Sequence, residues 1–427
     1  MSAVELRDCI EELLSFTLQS YVNDTLEFDL RLSKCFCSQL LSPEPSDQFP
    51  LPPDFNESLE GVPLYPLYKR LALALLESMT SGTFHRTYNK MTLISVEESL
   101  KQKESEWQKL ILEKASEIVN ILRTVDFELD VQEPFFSQLK DGKKTIEGRC
   151  AVGKYTRIGS GTLLLLNKCI VLQVQGVHWY PSFSNMLEAE SLGKVLPGVK
   201  SVEDGVQIYR KFYTEEKERL NGVLAISISK AALQPCISMA SMFSALNYEG
   251  LQGLLGLTST KGTIESALPP PRSILFSSFM LPHKPVVTSS TLTHGARALA
   301  KHVHRSSDKF WGAFVGSDSN KNKLALDVII HLVTNCCWLN VHIVPPHGEV
   351  FEIRVADGYG ARWSKDGSQV NEVSLFMESP LQIHWEATCR ILRYLKVYWI
   401  FGAIYGRRSL NGMGALNLVR AMLSAIF

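Results

Sequence analysis

The 427-residue chain has no net charge, no long apolar run and no paired-cysteine spacing, and each absence closes off a class of protein. No span reaches the roughly 18 consecutive apolar residues that a membrane helix needs. The N-terminal "MSAVELRDCIEELLSF" carries acidic residues among its apolar ones, which fits an amphipathic helix and not a signal peptide. Nine cysteines are scattered along the chain, and neither the Cys35/Cys37 spacing nor the adjacent Cys336 and Cys337 forms a C-x-x-C zinc half-site. The cysteines are expected to be reduced thiols, with no metal, no cofactor and a cytoplasmic or nuclear location. There is no internal repeat.

What is present is uneven. Acidic residues outnumber basic ones 19 to 12 over residues 1–123, whereas basic residues lead seven to two over 134–170, so overall neutrality hides a local basic region. At 45% hydrophobic content, a chain of this length can form several domains, each with its own core. Residues 1–123 read as a helical N-terminal region: helices over about 1–42 and 64–78, a proline-rich connector "SPEPSDQFPLPPDF", and a charge-laced helix to about Arg123 after the capping-box pair Ser95 and Glu98. Their acidic surface suits a protein partner.

The texture changes at "TVDFELDVQ", where Val125, Phe127, Leu129 and Val131 alternate with acidic residues in the period-2 pattern of a half-buried strand. A second domain over 124–232 follows: a short helix from Pro134 to Gly142, strands at "TIEGRCAV", "TLLLLN" and "CIVLQVQGVHWY", two helices over about 184–192 and 202–220, and a closing strand "GVLAISIS". Short strands joined through small helices predict a compact α+β barrel. Residues 233–285 read as a Ser/Gly/Pro-rich connector, although "YEGLQGLLGL" is apolar enough to pack on a neighbour. A smaller α+β unit is expected over 286–369.

The chemistry concentrates in "LKDGKKTIEGR", residues 139–149. Gly142 ends a helix where a left-handed backbone is needed, so Lys143 and Lys144 emerge at a turn. In the strand that follows, Glu147 and Arg149 are two residues apart and share a face, and Lys144 can lean over that face from its edge. The result would be a cationic pocket holding one carboxylate, suited to a phosphate or a base edge. The plain alternative is a solvated salt bridge of Glu147 with Arg149 or Lys144, which is worth little. Lys154 adds charge nearby, and the loop "HWYPSF" offers Tyr180 for stacking, with Trp179 expected in the core.

On these residues, 126–230 resembles the ASCH (activating signal cointegrator homology) domain of the PUA-like superfamily. Gly142, Lys144, Glu147 and Arg149 match its G-x-K-x-x-E-x-R signature. Gly159 to Leu166 resembles its glycine turn and apolar strand, and "IYRKFYTEEKERLNGVLAISIS" its closing helix and strand. The order of segments also resembles plant RNA-binding ASCH proteins. The resemblance implies a small β-barrel whose cleft against flanking helices binds RNA, with a role in RNA processing or transcription coactivation. Lys143, Lys144, Glu147, Arg149, Lys154 and Tyr180 are the expected RNA contacts. One departure is the glycine turn, which reads Gly159-Ser160-Gly161 where the family usually carries an acid after the first glycine.

Two alternatives stay open. Some small ASCH proteins hydrolyse acetylated cytidine with a lysine, a threonine and a later glutamate. Here Lys144 fills the lysine position and Glu147 stands in place of the threonine, with Glu188 or Glu190 as the later acid. The other is a protein-interaction scaffold working through residues 1–123.

In the third unit, Arg297, Lys301 and Arg305 recur at i, i+4 and i+8 as one basic stripe. His302 and His304 face apart, and His342 and His347 have no completing ligand, so no metal site is expected. In "FEIRVADGYGARW", Tyr359, Arg362 and Trp363 fit either stacking plus charge or a tight hairpin. From Val370 the periodicity breaks, and "QVN" is encodable as a splice-donor sequence, so residues 370–427 are read as an atypical tail, either translated intron or a mispredicted exon.

Overall fold

The computed structural model describes residues 3–45, 60–85, 98–260, 262–283, 291–303 and 310–376. Its N-terminal part is helical: α1 (Ala3–Val22), α2 (Lys34–Leu41), α3 (Leu67–Ser81) and α4 (Glu98–Arg123). Trp107, Ile111, Ala115, Ile118 and Leu122 on α4 recur at helical spacing and are all buried, so one stripe of an otherwise charged helix faces the core. The Ser33 hydroxyl accepts from the Phe36 amide at 3.2 Å and caps α2. Ser95, the expected cap of α4, lies outside the described residues.

The central domain is built from β1 (Phe127–Leu129), α5 (Phe135–Lys140), β2 (Ile146–Cys150), β3 (Leu163–Leu166) and β4 (Ile170–Tyr180), then α6 (Phe183–Glu190), α7 (Leu192–Val195), α8 (Val202–Arg210), α9 (Glu215–Asn221) and β5 (Val223–Lys230). The strands form one curled half-barrel sheet in the order β1-β3-β4-β5-β2, antiparallel except for the β1/β3 pair. One face buries Leu129, Leu164, Leu166, Leu172, Val174 and Ile226; the helices α6 and α8 cover the other through Phe183, Met186, Leu187 and Tyr209. The α+β half-barrel with flanking helices is the expected class. The single expected helix over 202–220 is instead two, α8 and α9, separated by a turn and each with its own N-cap, Ser201 and Thr214.

Residues 233–285, expected as a connector, carry α10 (Pro235–Leu254) and α11 (Arg272–Met280). Cys236, Met239, Ala240, Met242, Phe243 and Leu246 are buried on α10, which packs on α1, α3 and α4. Serines interspersed among these apolar residues gave the segment its linker-like composition. A kink at Asn247, with φ of 52°, turns Leu251 and Leu254 of "YEGLQGLLGL" into the same core.

The last unit holds α12 (His294–Ala300), α13 (Asp318–Asn335) and a four-stranded antiparallel meander, β6 (Trp338–Val344), β7 (Gly348–Arg354), β8 (Tyr359–Ser364) and β9 (Val370–Leu375). Leu339, Val341, Phe351, Ile353, Ala361, Trp363 and Val373 form its apolar face and join one core with α10, α13 and the N-terminal helices. "FEIRVADGYGARW" is thus a hairpin, with Tyr359 and Trp363 buried. The expected break at Val370 falls on β9, which pairs with β8; residues 377–427 lie outside the described residues, as does Arg305 of the basic stripe. Among the described residues, no helix is long and apolar enough to cross a membrane.

Candidate functional site

Strand β2 places Glu147 and Arg149 on one face, as its period of two dictates, and the preceding turn brings Lys144 over them. The arrangement is buried, not solvated: Lys144 is 2% and Glu147 8% exposed. The Lys144 ammonium donates to the Ile146 carbonyl at 2.8 Å and to that of Val195, and sits 3.1 Å from Glu147 Oε2. Its three protons are therefore engaged inside the protein. Arg149 Nε lies 2.9 Å from Glu147 Oε1, and a terminal nitrogen donates to the Asp130 carbonyl at 3.2 Å. Burial disfavours the Glu147 carboxylate, but the charges of Lys144 and Arg149 outweigh it, so the carboxyl stays below its usual range. Burial pushes the Lys144 ammonium down, with Glu147 opposing.

Above this pair opens a cleft of about 230 Å³, walled by Phe135, Tyr209, Phe212 and Tyr213 and lined also by Asp130 and Gln132. Tyr209 is stacked on Phe183, ring centroids 4.1 Å apart, and its buried hydroxyl, held against Gly148, makes no hydrogen bond of good geometry. A Cβ on Gly148 would come within 2.4 Å of that hydroxyl, so only glycine lets α8 approach β2 this closely. Phe212, which also lines the cleft, is 50% exposed.

Of the expected site residues, the structure brings Lys144, Glu147 and Arg149 together and leaves three outside the cleft. Lys143 points into a separate groove with Thr25, Lys140 and Lys230. Lys154 donates to the Glu128 carbonyl at 2.8 Å, beside Tyr155. Tyr180 donates to Glu190 at 2.8 Å, and the same carboxylate pairs with His178 at 2.6 Å, so Glu190 too is away from Lys144. Glu188 accepts from the Ser184 hydroxyl at 3.3 Å on the exposed side of α6. Trp179, expected in the core, is 59% exposed and lies flat over Gly222, donating to the Asn221 carbonyl at 3.1 Å. The aromatic wall from α8 was missed: Tyr209 and Phe212 stand some sixty residues from the motif, and only the folded topology joins them.

A second charged group also escaped the sequence reading. On the face of the second sheet away from its core, Glu352 is fully buried, with Arg354 and Arg362 each 2.6 Å from its carboxylate and His342 Nε2 at 3.1 Å. Arg362 reaches on to Glu372 at 3.3 Å, and His302 Nε2 lies 4.0 Å beyond it. The alternation of His342, Glu352, Arg354, Arg362 and Glu372 with core residues along four strands was the available signal.

The half-barrel and its cleft define a class of small α+β domains in which helices cover a curled sheet. Residues 129–232 match the ASCH domain, so this part of the chain is an ASCH domain. Two solved structures are similar to this part: hypothetical protein PH0355, and protein PF0455 from Pyrococcus furiosus. Each is 42% identical over 25% of this chain and 98% of its own length, with a TM-score of 0.24. Residues 282–370 match the CdiA C-terminal tRNase toxin domain. No curated protein matches the chain. An ASCH domain points to RNA binding.

Proposed function

We propose that the chain binds RNA by taking an unpaired base into the ASCH cleft. The observation that carries this reading is Glu147, a carboxylate fixed by two cations at the floor of an open, aromatic-walled cleft. An ionised carboxylate only accepts hydrogen bonds, so it selects a base edge that presents donors, such as the amino group of cytosine. Phe135 and Phe212 supply stacking faces, Lys144 acts through Glu147, and the Tyr209 hydroxyl gains a partner when the cleft fills. Lys143 and Lys154 add sequence-independent, salt-sensitive attraction.

Fluorescence anisotropy of the full chain with labelled single-stranded RNA tests this. Loss of one stacked ring costs about 1–3 kcal/mol, so Phe212→Ala is expected to weaken binding by about tenfold or more. Because Phe212 is half exposed, its removal should leave the melting temperature within a few degrees of the parent. RNA affinity unchanged in Phe212→Ala would remove the cleft from the account.

A second reading concerns the C-terminal unit. Its ionic group on the second sheet, within a segment resembling a tRNase toxin domain, supports cleavage of RNA by that unit. Incubation of the full chain with total tRNA tests it directly. RNA processing is the role that both readings share.

A further inference from the structure

Trp179 stands next to last on β4, outside the apolar cores of the ASCH domain, and is 59% exposed. It is nevertheless fixed in place. Its Nε1 donates to the Asn221 carbonyl at 3.1 Å, and one side of the indole rests on Gly222. Gly222 makes that seat possible: its φ of 72° is left-handed backbone, and an added Cβ would come within 2.4 Å of the Trp179 ring. The hydrogen bond uses the one polar atom of the indole, so what the ring still offers to solvent is apolar π-surface in a set orientation.

The register of the sheet ties this ring to the cleft. Arg149 on β2 and Trp179 on β4 are the two cross-strand partners of Leu224 on β5. Directly paired residues of antiparallel strands project from the same face, so Arg149 and Trp179 share one face of the sheet, with their backbones two strand spacings, or about 10 Å, apart. Ile226 repeats the relation two residues along β5, with Glu147 as its partner on one side and Val177 on the other. Glu147 and Arg149 both line the cleft. The cleft floor and the exposed ring therefore belong to one surface, near the end of the sheet where β2 and β4 finish and β5 begins.

Resting on the base-in-cleft reading, we propose that Trp179 is a second nucleobase platform: while one unpaired base fills the cleft, another base of the same RNA strand stacks on the indole. The two positions differ in what they select. Stacking asks only for a π-face, so the Trp179 position accepts any base, whereas Glu147 accepts only an edge that presents donors. Because the backbone joins the two bases, the second contact is made at high effective concentration, and short single strands gain affinity from both.

The test is fluorescence anisotropy of the full chain with a labelled single-stranded RNA of about ten nucleotides, within the usual span of single-strand sites. Trp179→Ala is expected to weaken binding by about tenfold, the scale of one lost stacking contact. Trp179→Phe keeps a ring and should stay within about threefold of the parent. Since the side chain is largely exposed, thermal melts of both variants should lie within a few degrees of the parent. Intrinsic fluorescence gives a second readout: saturating RNA should quench the parent more than Trp179→Phe, and the difference isolates Trp179 from the other tryptophans. Phe212→Ala is measured in the same series to report on the cleft. Affinity of Trp179→Ala within about twofold of the parent, or equal quenching in the parent and Trp179→Phe, would overturn the platform, and the cleft reading would stand if Phe212→Ala still weakens binding. Equal losses in Trp179→Ala and Trp179→Phe would assign the effect to the Nε1 hydrogen bond instead of the ring and would also overturn it. Full affinity in Phe212→Ala, or no RNA binding by the folded parent, would overturn both.

Discussion

Glu352→Gln is expected to destabilise the second sheet by about 3 kcal/mol at neutral pH, because it leaves two buried guanidinium groups without their shared counter-ion. The sign with pH follows from the carboxyl. Burial raises it, but the hydrogen bond from His342 and the charges of Arg354 and Arg362 outweigh burial and hold it at about 2, below its ordinary 4.5. The folded state therefore binds this proton less readily than the unfolded chain. The stabilisation is complete above about pH 4.5 and disappears as pH falls toward 2. Urea unfolding followed by the fluorescence of Trp338 and Trp363 should show wild-type stability falling steeply across that window, and the variant, lower at pH 7, falling much less. Equal slopes in the two proteins would show that Glu352 is not the hub of the network.

The second large effect is expected for Lys144→Met. Methionine fills a similar volume, but the change removes the ammonium that bonds the carbonyls of Ile146 and Val195 and faces Glu147. Two carbonyls lose their donor and a buried carboxylate loses one of its two cations, so a loss of about 3–5 kcal/mol is expected in the ASCH domain. Lys144→Arg should not restore it, since the site is closed around a compact ammonium and the planar guanidinium fork is larger. Thermal unfolding of the full chain checks both variants. A loss below about 1 kcal/mol in Lys144→Met would mean that the pair is solvated, the plain reading of the motif.

These two sites show what the sequence made legible and what it did not. The strand period alone placed Glu147 beside Arg149, and the glycine before the lysines placed Lys144 at their edge, because both inferences concern residues within one turn of each other. Burial of Lys144 was not legible: it depends on the Val195 carbonyl, about fifty residues away on α7, and a local pattern carries no information about that approach. For the same reason the sequence carries no local sign of Tyr209 and Phe212, while Tyr180, at the end of a strand, fits a stacking role by pattern but is bound to Glu190 outside the cleft. A large ring is usually buried, which is why the sequence suggests a core position for Trp179, whereas Gly222, on the approach to the neighbouring strand, leaves room for the ring at the surface. The ionic chain on the second sheet was legible in principle. Its alternation runs through four strands, but each strand shows only one or two of the charges, and their common face emerges only once the meander's register is known. Composition misled over 233–285, where serines spaced between methionines and phenylalanines disguised a core helix.

The most direct test of the account is photo-crosslinking of 4-thiouridine-containing single-stranded RNA to the full chain, with the crosslinked peptide located by mass spectrometry. An RNA base seated in the ASCH cleft should attach to the aromatic wall, at Phe135, Tyr209, Phe212 or Tyr213. Crosslinks confined to other surfaces, such as the exposed Trp179, or no crosslink from an RNA that binds, would contradict it.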